Sequence, residues 1–94
     1  MSDGFSVRVM IEGRVQGVWF RGWTVEQAKR RGLDGWVRNR RDGSVEALFS
    51  GAAEAVLAMV QACRRGPPFA HVVTVREMPT DPPNEPGFRT LPTL

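Results

Sequence analysis

The stretch FSVRVMIEGRVQGVWFRGWTVEQAKRRG, residues 5–32, decides the start of the fold. The spacing of its apolar residues changes midway from the period of a strand to the period of a helix. One alternating set of side chains in its first part is apolar: Phe5, Val7, Val9 and Ile11. A period of two with β-branched residues predicts a strand with one buried face. The last part has helical spacing, a basic final turn and then Gly32, which predicts a helix over about residues 22–31.

The middle of the chain predicts a hairpin followed by a second helix. Two short runs, residues 35–39 and 44–50, flank an Asp-Gly pair that tolerates positive φ, as hairpin turns require. The stretch GAAEAVLAMVQACRRGPP, residues 51–68, predicts a helix with Gly51 as its N-cap and a Gly-Pro pair as its stop. Its apolar stripe is expected to contain Val56, Leu57, Val60 and Cys63.

The order of these elements predicts the fold class. A strand over residues 70–77 completes the order β-α-β-β-α-β, and after a proline-rich loop over 78–87 residues 88–91 could add a short fifth strand. This order is typical of an α+β, ferredoxin-like split β-α-β sandwich, with two helices on one face of a mostly antiparallel four- to five-stranded sheet. The first and third strands are expected side by side in the middle. Residues 1–94 are expected to form a single domain.

The composition of the chain limits the classes of protein to which it can belong. Hydrophobic residues make up 41% of the chain and charged residues 24%, as in ordinary soluble globular proteins. The single cysteine, Cys63, excludes an internal disulfide and is expected to be a core residue. No apolar run approaches the roughly 18 residues of a membrane span, and the first residues do not resemble a signal peptide. We therefore expect a cytoplasmic protein, and nothing in the sequence requires more than a monomer.

The glycine loop, residues 15–20, joins the first strand to the first helix and carries the pattern most typical of a binding site. Its backbone N–H groups and the following helix N-terminus can converge on an anion. Gly17 permits positive φ and a close approach to a ligand, and Arg21 can place a planar guanidinium across two oxygen atoms. These features favour a site for a phosphate or a carboxylate. A structural crossover with a surface arginine remains the alternative.

The sequence does not match the known motifs for phosphate-binding loops, metal sites or catalytic triads. The loop lacks the Gly-Lys-Ser/Thr ending of a Walker A motif, the third glycine of a dinucleotide fingerprint and the thiolate of a cysteine-dependent phosphatase. The lone histidine, His71, is expected at the surface or at a strand end, and the carboxylates do not cluster. No metal site and no Ser-His-Asp arrangement is therefore predicted, and no cofactor is expected.

Three segments resemble the acylphosphatase family. The run GRVQGVWFR, residues 13–21, is similar to the family signature Gly-Arg-Val-Gln-Gly-Val-x-Phe/Tyr-Arg. The run GLDGWVRNRRDGSVEA, residues 32–47, resembles the second conserved segment, with its asparagine after Gly-Trp-Val-x, and GPPFAHV, residues 66–72, extends the match. The resemblance implies a hydrolase that cleaves small-molecule acyl phosphates, and that also binds inorganic phosphate or sulfate.

The resemblance also assigns roles. It implies that Arg21 is the catalytic and phosphate-binding arginine and that Asn39 orients the attacking water. The backbone N–H groups of the glycine loop are the implied phosphate donors: Val15, Gln16, Gly17, Val18, Trp19 and Phe20. Two positions depart from the family, because Arg40 replaces a frequent threonine and Thr90 a frequent apolar residue. From the residues alone, a hairpin residue that only satisfies backbone groups in the turn is the favoured interpretation of Asn39. The tryptophans are interpreted as packing residues around the loop and the sheet, with contact between an aromatic side chain near the site and the acyl group as the alternative: Trp19, Trp23 and Trp36.

Two other functions use the same architecture. RNA-recognition modules stack bases on aromatic side chains of the two central strands. The corresponding outer positions here hold no aromatic pair: Ser6, Arg8, Met10, Glu12, Glu46 and Leu48. Nucleic-acid binding is therefore not favoured, despite a formal net charge of +3. An acylphosphatase-like module that binds or regulates with little turnover stays open as the second alternative.

Overall fold

The computed structural model describes residues 4–94 and contains two helices and five strands within them. In chain order they are β1 (Gly4–Arg14), α1 (Phe20–Arg30), β2 (Asp34–Asn39), β3 (Val45–Ala52), α2 (Ala53–Arg65), β4 (His71–Pro79) and β5 (Phe88–Thr90). The strands form one sheet in the order β4-β1-β3-β2-β5. All neighbouring pairs are antiparallel except β2 and β5, which run parallel. The α+β split β-α-β fold, with β1 and β3 adjacent in the sheet, is therefore confirmed.

One face of the sheet packs against both helices and holds the hydrophobic core. Val7, Val9 and Ile11 are buried on this side as predicted, whereas Phe5, predicted with them, is 41% exposed near the start of β1. Residues of α2 and of β5 join them in the core. Core residues from these elements include Val7, Val9, Ile11, Val37, Val45, Ala47, Phe49, Val56, Met59, Val60, Cys63 and Phe88. Burial raises the pKa of the Cys63 thiol to about 12, so this cysteine is an unreactive core residue, as predicted.

The helix boundaries differ from the sequence-based prediction in two places. Helix α1 begins at Phe20, two residues before the predicted start, because Trp19 adopts the left-handed conformation that ends the loop. Helix α2 has Ala52 as its N-cap rather than Gly51, because β3 pairs with β1 as far as Ala52. Within α2, Leu57 is exposed and Met59 is buried, which corrects the predicted stripe. Residues Val56, Met59, Val60 and Cys63 share one helical face, and Leu57 lies about 100° away.

The opposite face of the sheet, called the open face here, carries a buried carboxylate. The side chain of Glu46 in β3 is only 2% exposed. Arg8 Nη1 donates to Glu46 Oε2 at 2.6 Å, Arg38 Nε donates to Oε1 at 2.8 Å, and Arg40 Nη1 donates to Oε1 at 3.1 Å. Burial by itself would raise the pKa of Glu46, but the hydrogen bonds from Arg38 and Arg8 outweigh it, and the pKa is lowered.

Replacement of Glu46 with glutamine is expected to lower the free energy of unfolding at pH 7 by about 2 kcal/mol, because three guanidinium groups lose their shared carboxylate. The three arginines reach water, which keeps this value below that of a fully buried network. The folded pKa lies below the ordinary value of 4.5, so the contribution is complete above that pH and is lost as the pH falls through the folded pKa.

Urea unfolding of the wild type and of Glu46→Gln at pH 7 and at pH 3 measures this contribution. The difference between the two proteins should be large at pH 7 and should shrink at pH 3. The matched control is Glu26→Gln, at an exposed position of α1, and a change within about 0.5 kcal/mol is expected for it. An equal Glu46→Gln difference at both pH values would show that the carboxylate charge does not carry the stabilisation.

Candidate active site

The glycine loop is held by apolar side chains that point into the protein. Val15 and Phe20, at its two ends, are each only 1% exposed, and Val18 packs against the core cluster. Gly17 has a φ of 74°, as predicted, and a Cβ added there would meet no protein atom within 4 Å. The side chains therefore anchor the loop, and its left-handed turn at Gly17 faces open space where a ligand can approach.

Helix α1 begins directly after this turn with an uncapped N-terminus. Its first intrahelical hydrogen bond is donated by Trp23 N to Trp19 O at 3.0 Å, so the N–H groups of the preceding residues have no helical acceptor. No side chain caps this end, and no acidic residue lies in the first turn. A helix end with free N–H groups and a positive dipole favours an anion.

Arg21 lies in the first turn of α1 with an exposed side chain. Within residues 4–94 it forms no ion pair with a carboxylate, whereas six other arginines do. A guanidinium next to free backbone donors and without a protein counter-ion is typical of a binding group for an oxyanion.

A cavity of about 270 Å³ lies over the glycine loop and the start of α1. Its lining includes Arg21 and Asn39, the two predicted catalytic residues, although they belong to different elements. Five residues of the glycine loop also line it, whereas Val18 does not, because its side chain packs against the core. The complete lining is Val15, Gln16, Gly17, Trp19, Phe20, Arg21, Gly22, Asn39 and Thr90. Arg21 is the single charged side chain of this set.

Asn39 is the last residue of β2, and its backbone is held by β3 on one side and by the segment that follows β5 on the other. It pairs with Val45 of β3, and its carbonyl accepts a hydrogen bond from Leu94 N at 3.1 Å. Its side-chain oxygen, Oδ1, is buried and has no hydrogen-bond partner within the described residues. A buried acceptor without a hydrogen-bond partner destabilises the folded protein, unless a water or a ligand donates a hydrogen bond to it. The alternative role would require the Asn39 side chain to hydrogen-bond to backbone groups of the hairpin, and no such bond joins them within residues 4–94.

Gln16 connects the glycine loop to the β2–β3 hairpin. Its Nε2 donates to Arg40 O and to Ser44 O, both at 2.8 Å. The hairpin turn is itself ordered by Asp42, whose Oδ1 accepts hydrogen bonds from Ser44 N and Ser44 Oγ. These hydrogen bonds lower the pKa of Asp42. The Gln16 side chain therefore links the loop to the residue that directly follows Asn39.

The structure corrects the interpretation of Trp19 and adds two residues to the site. Trp19 is 59% exposed and lines the cavity instead of packing in the core, whereas Trp23 packs against Phe20 as predicted. Gly22 and Thr90 also line the cavity and were not assigned to it from the sequence. The parallel pairing of β5 with β2 places Thr90 at the cavity. The paired residues are more than fifty positions apart in the chain, so no local sequence pattern predicts this contact.

His71 begins β4 and is exposed, as expected. No group of three or more histidine, cysteine, aspartate or glutamate side chains that could hold a metal ion occurs within residues 4–94. Over the same residues, neither helix is long and apolar enough to cross a membrane.

Comparison with known proteins agrees with the geometry of the site. The sequence model of the acylphosphatase family matches residues 7–90. An acylphosphatase from Rhodospirillum rubrum is 60% identical over 86 residues, which cover 92% of this chain and 94% of that protein. The structure of an acylphosphatase from Coxiella burnetii has a TM-score of 0.90 at 29% identity, over 95% of this chain and 94% of that one. For the acylphosphatase from Bacillus subtilis the TM-score is 0.87 at 35% identity, over 93% and 98% of the two chains. The chain therefore belongs to the acylphosphatase family, and it is an enzyme that hydrolyses acyl phosphates.

Proposed function

We propose that this enzyme cleaves acyl phosphates by attack of water on phosphorus, with Arg21 and the glycine loop holding the phosphoryl group and Asn39 orienting the water. One observation carries the proposal: among residues 4–94, an arginine without a counter-ion, an uncapped helix N-terminus and an amide oxygen without a hydrogen-bond partner all border one cavity. Each of these groups lacks the partner that a bound phosphoryl group or its attacking water supplies.

The chemistry of the leaving group explains why the site needs no general acid. An acyl phosphate is a mixed anhydride, and its leaving group is a carboxylate whose conjugate acid has a pKa of about 4, near that of aspartic or glutamic acid. Such a group departs without protonation at neutral pH. The remaining work is to position the reactants and stabilise a loose phosphoryl transition state, for which fixed positive charge suffices.

Asn39 has the right chemistry to orient water but not to deprotonate it. Its Oδ1 can accept a hydrogen bond from a water placed in line with the scissile P–O bond, and an amide is not a base at neutral pH. In the proposed step, water oxygen bonds to phosphorus while the bond from phosphorus to the acyl oxygen breaks. The water proton passes to a phosphoryl oxygen. The acyl phosphate dianion and water thus give a carboxylate and a dihydrogen phosphate ion.

Arg21, the free N–H groups and the dipole of α1 supply the positive charge that divalent metals provide in many phosphoryl-transfer enzymes. We therefore propose that the reaction needs no metal and no cofactor. We also propose that residues 1–94 act as a single monomeric domain in the cytoplasm. Inorganic phosphate or sulfate is expected to compete with the substrate, since either presents the same oxygen geometry. Nucleic acid is not a proposed partner, because the open face presents arginines paired with Glu46 rather than an aromatic pair.

Hydrolysis of benzoyl phosphate in the presence and absence of EDTA tests the proposal. The expected result is the same turnover in both conditions, with competitive inhibition by inorganic phosphate. Turnover that disappears in EDTA and returns with a divalent cation would contradict the metal-free mechanism. A folded protein that binds phosphate without turnover would favour the second alternative, a binding or regulatory module.

Replacement of Gln16 with leucine is expected to lower kcat/KM for benzoyl phosphate by about tenfold to a hundredfold. The reason is that a small displacement of the glycine loop from its catalytic geometry slows the reaction strongly. The change leaves two hairpin carbonyls, of Arg40 and Ser44, without their shared donor. The free energy of unfolding should fall by about 1–2 kcal/mol. Kinetics and urea unfolding of the same preparation measure both effects. Wild-type kinetics in a destabilised Gln16→Leu would show that the link to the hairpin does not position the loop.

A further inference from the structure

The cavity is larger than the phosphoryl group requires. At roughly 30 Å³ for each water-sized group, about 270 Å³ accommodates about nine such groups, roughly twice the four heavy atoms of a phosphoryl group. The remaining space is available to the acyl half of the substrate, which is covalently attached to the phosphoryl group. No carboxylate lines it, so an anion with an apolar substituent meets no repulsive charge there. The question is which side chain contacts that substituent.

Trp19 offers the largest exposed apolar surface on the cavity wall. It is 59% exposed, while the other apolar side chains of the lining, Val15 and Phe20, are each 1% exposed and belong to the core. An aromatic face left in water beside a binding cavity is available for stacking with a ligand. Trp36 is half-buried and lies on the open face beneath the guanidinium of Arg38, away from this cavity.

The backbone and the neighbouring helix hold this indole in place. Trp19 has a φ of 64°, and no other non-glycine residue among residues 4–94 has a positive φ. Left-handed backbone at a bulky residue is strained, and such strain is concentrated at ligand sites. The indole lies against Gly22, where an added Cβ would overlap Nε1 and stand 2.7 Å from Cδ1 and 2.9 Å from Cε2. A glycine in the first turn of α1 therefore makes room for the indole beside Arg21.

We propose that the Trp19 indole is the acyl subsite of this enzyme, and that it favours acyl phosphates with flat aromatic acyl groups over small aliphatic ones. The inference rests on the proposed function, because it places the phosphoryl group on Arg21 and the glycine loop. With phosphorus fixed there, the carbonyl carbon and its substituent extend from the loop toward the exposed indole. The aromatic substituent stacks on the indole, and a methyl group covers only a small part of it.

The test is the ratio of kcat/KM for benzoyl phosphate to kcat/KM for acetyl phosphate. A ratio is needed because Trp19 also contributes a backbone N–H to the glycine loop, so both substrates can be affected by a change there. Trp19→Asn removes the aromatic face and keeps a residue type that accepts left-handed backbone. Trp19→Phe retains a ring, and Gly22→Ala keeps the indole but displaces it. Trp36→Asn is the control, because it removes an indole outside the cavity.

We expect Trp19→Asn to lower the benzoyl-to-acetyl ratio about tenfold, the size of a lost aromatic stacking contact. Trp19→Phe should restore most of the ratio, Gly22→Ala should lower it, and Trp36→Asn should leave it at the wild-type value. A ratio unchanged in Trp19→Asn, with both substrates still hydrolysed, would overturn the subsite. A drop in Trp36→Asn equal to that in Trp19→Asn would overturn it too, since the effect would not be local.

A second readout separates this inference from the proposed function. Benzoylphosphonate and acetylphosphonate keep the acyl and phosphoryl groups but cannot be hydrolysed, so their dissociation constants can be measured by calorimetry without turnover. The subsite predicts that benzoylphosphonate binds the wild type more tightly and that Trp19→Asn removes the advantage. If this binding result is obtained but acyl phosphates are not hydrolysed, the proposed reaction is contradicted and the subsite is supported. Equal affinities in the wild type would sink the subsite, whatever the turnover.

Discussion

Replacement of Arg21 with alanine is expected to lower kcat/KM for benzoyl phosphate by at least about a hundredfold, corresponding to about 3–4 kcal/mol for one lost contact to the developing charge. Arg21 is the single charged residue of the cavity lining, and no carboxylate within the described part of the chain pairs with it. Its removal therefore leaves the phosphoryl charge to the backbone N–H groups alone. Stability should change little, because the side chain is exposed.

Two further variants, Arg21→Lys and Arg30→Ala, test whether the effect is specific to the guanidinium group at position 21. Lysine keeps the charge but lacks the planar fork that contacts two oxygens, so an intermediate loss of about tenfold is expected. Arg30 lies in the last turn of the same helix, is exposed and forms no ion pair with a carboxylate in residues 4–94, so its removal should leave the kinetics unchanged. Calorimetry with inorganic phosphate should show binding to the wild type and to Arg30→Ala but not to Arg21→Ala. Wild-type phosphate affinity in Arg21→Ala would remove Arg21 from the site.

Replacement of Asn39 with alanine is expected to lower kcat by about a hundredfold to a thousandfold with little change in KM, because it removes the group that aims the water and no group that holds the substrate. The free energy of unfolding should not fall by more than about 1 kcal/mol, since the deleted Oδ1 has no partner in the folded protein. Steady-state kinetics and urea unfolding of one preparation separate the two effects. The control is Asn84→Ala, in the proline-rich loop outside the cavity, with unchanged kinetics.

Asn39→Asp tests the role of the side chain in another way. The variant keeps an acceptor oxygen but adds negative charge beside the phosphoryl group, so activity at neutral pH should be low. It should recover partly as the pH falls toward about 4, where an aspartate becomes protonated and neutral. The wild type has no such rise at acid pH in this account. An Asn39→Ala variant with wild-type kcat would show that the water is oriented by another group.

Local patterns in the sequence predicted most of the fold. The alternation of Val7, Val9 and Ile11 predicts β1, and an Asp-Gly pair predicts the β2–β3 hairpin, because both signals depend on neighbours along the chain. The start of α1 could not be placed in this way. Phe20 and Arg21 already belong to the helix, but a left-handed conformation at Trp19 is rare for a tryptophan and is not encoded by a recognisable turn residue.

Features built from distant parts of the chain were beyond sequence reasoning. A glutamate on an open sheet face is ordinarily exposed, yet Glu46 is buried because arginines from β1, β2 and the hairpin converge on it. Thr90 reaches the cavity through the pairing of β5 with β2. The motif predicted that Arg21 and Asn39 act together, and the structure brings both to one cavity. Their roles in the reaction stay predictions that the variants above address.

Hydrolysis of benzoyl phosphate in water labelled with oxygen-18 tests the central claim most directly. If a water oriented by Asn39 attacks phosphorus, the label appears in the inorganic phosphate, and the benzoate keeps only unlabelled oxygen. Mass spectrometry of both products after partial turnover, corrected for the uncatalysed reaction, gives the answer. Label in phosphate alone is the predicted result. Label in the benzoate would mean that water attacks the carbonyl carbon, and the proposed roles of Arg21, the glycine loop and Asn39 would be contradicted together.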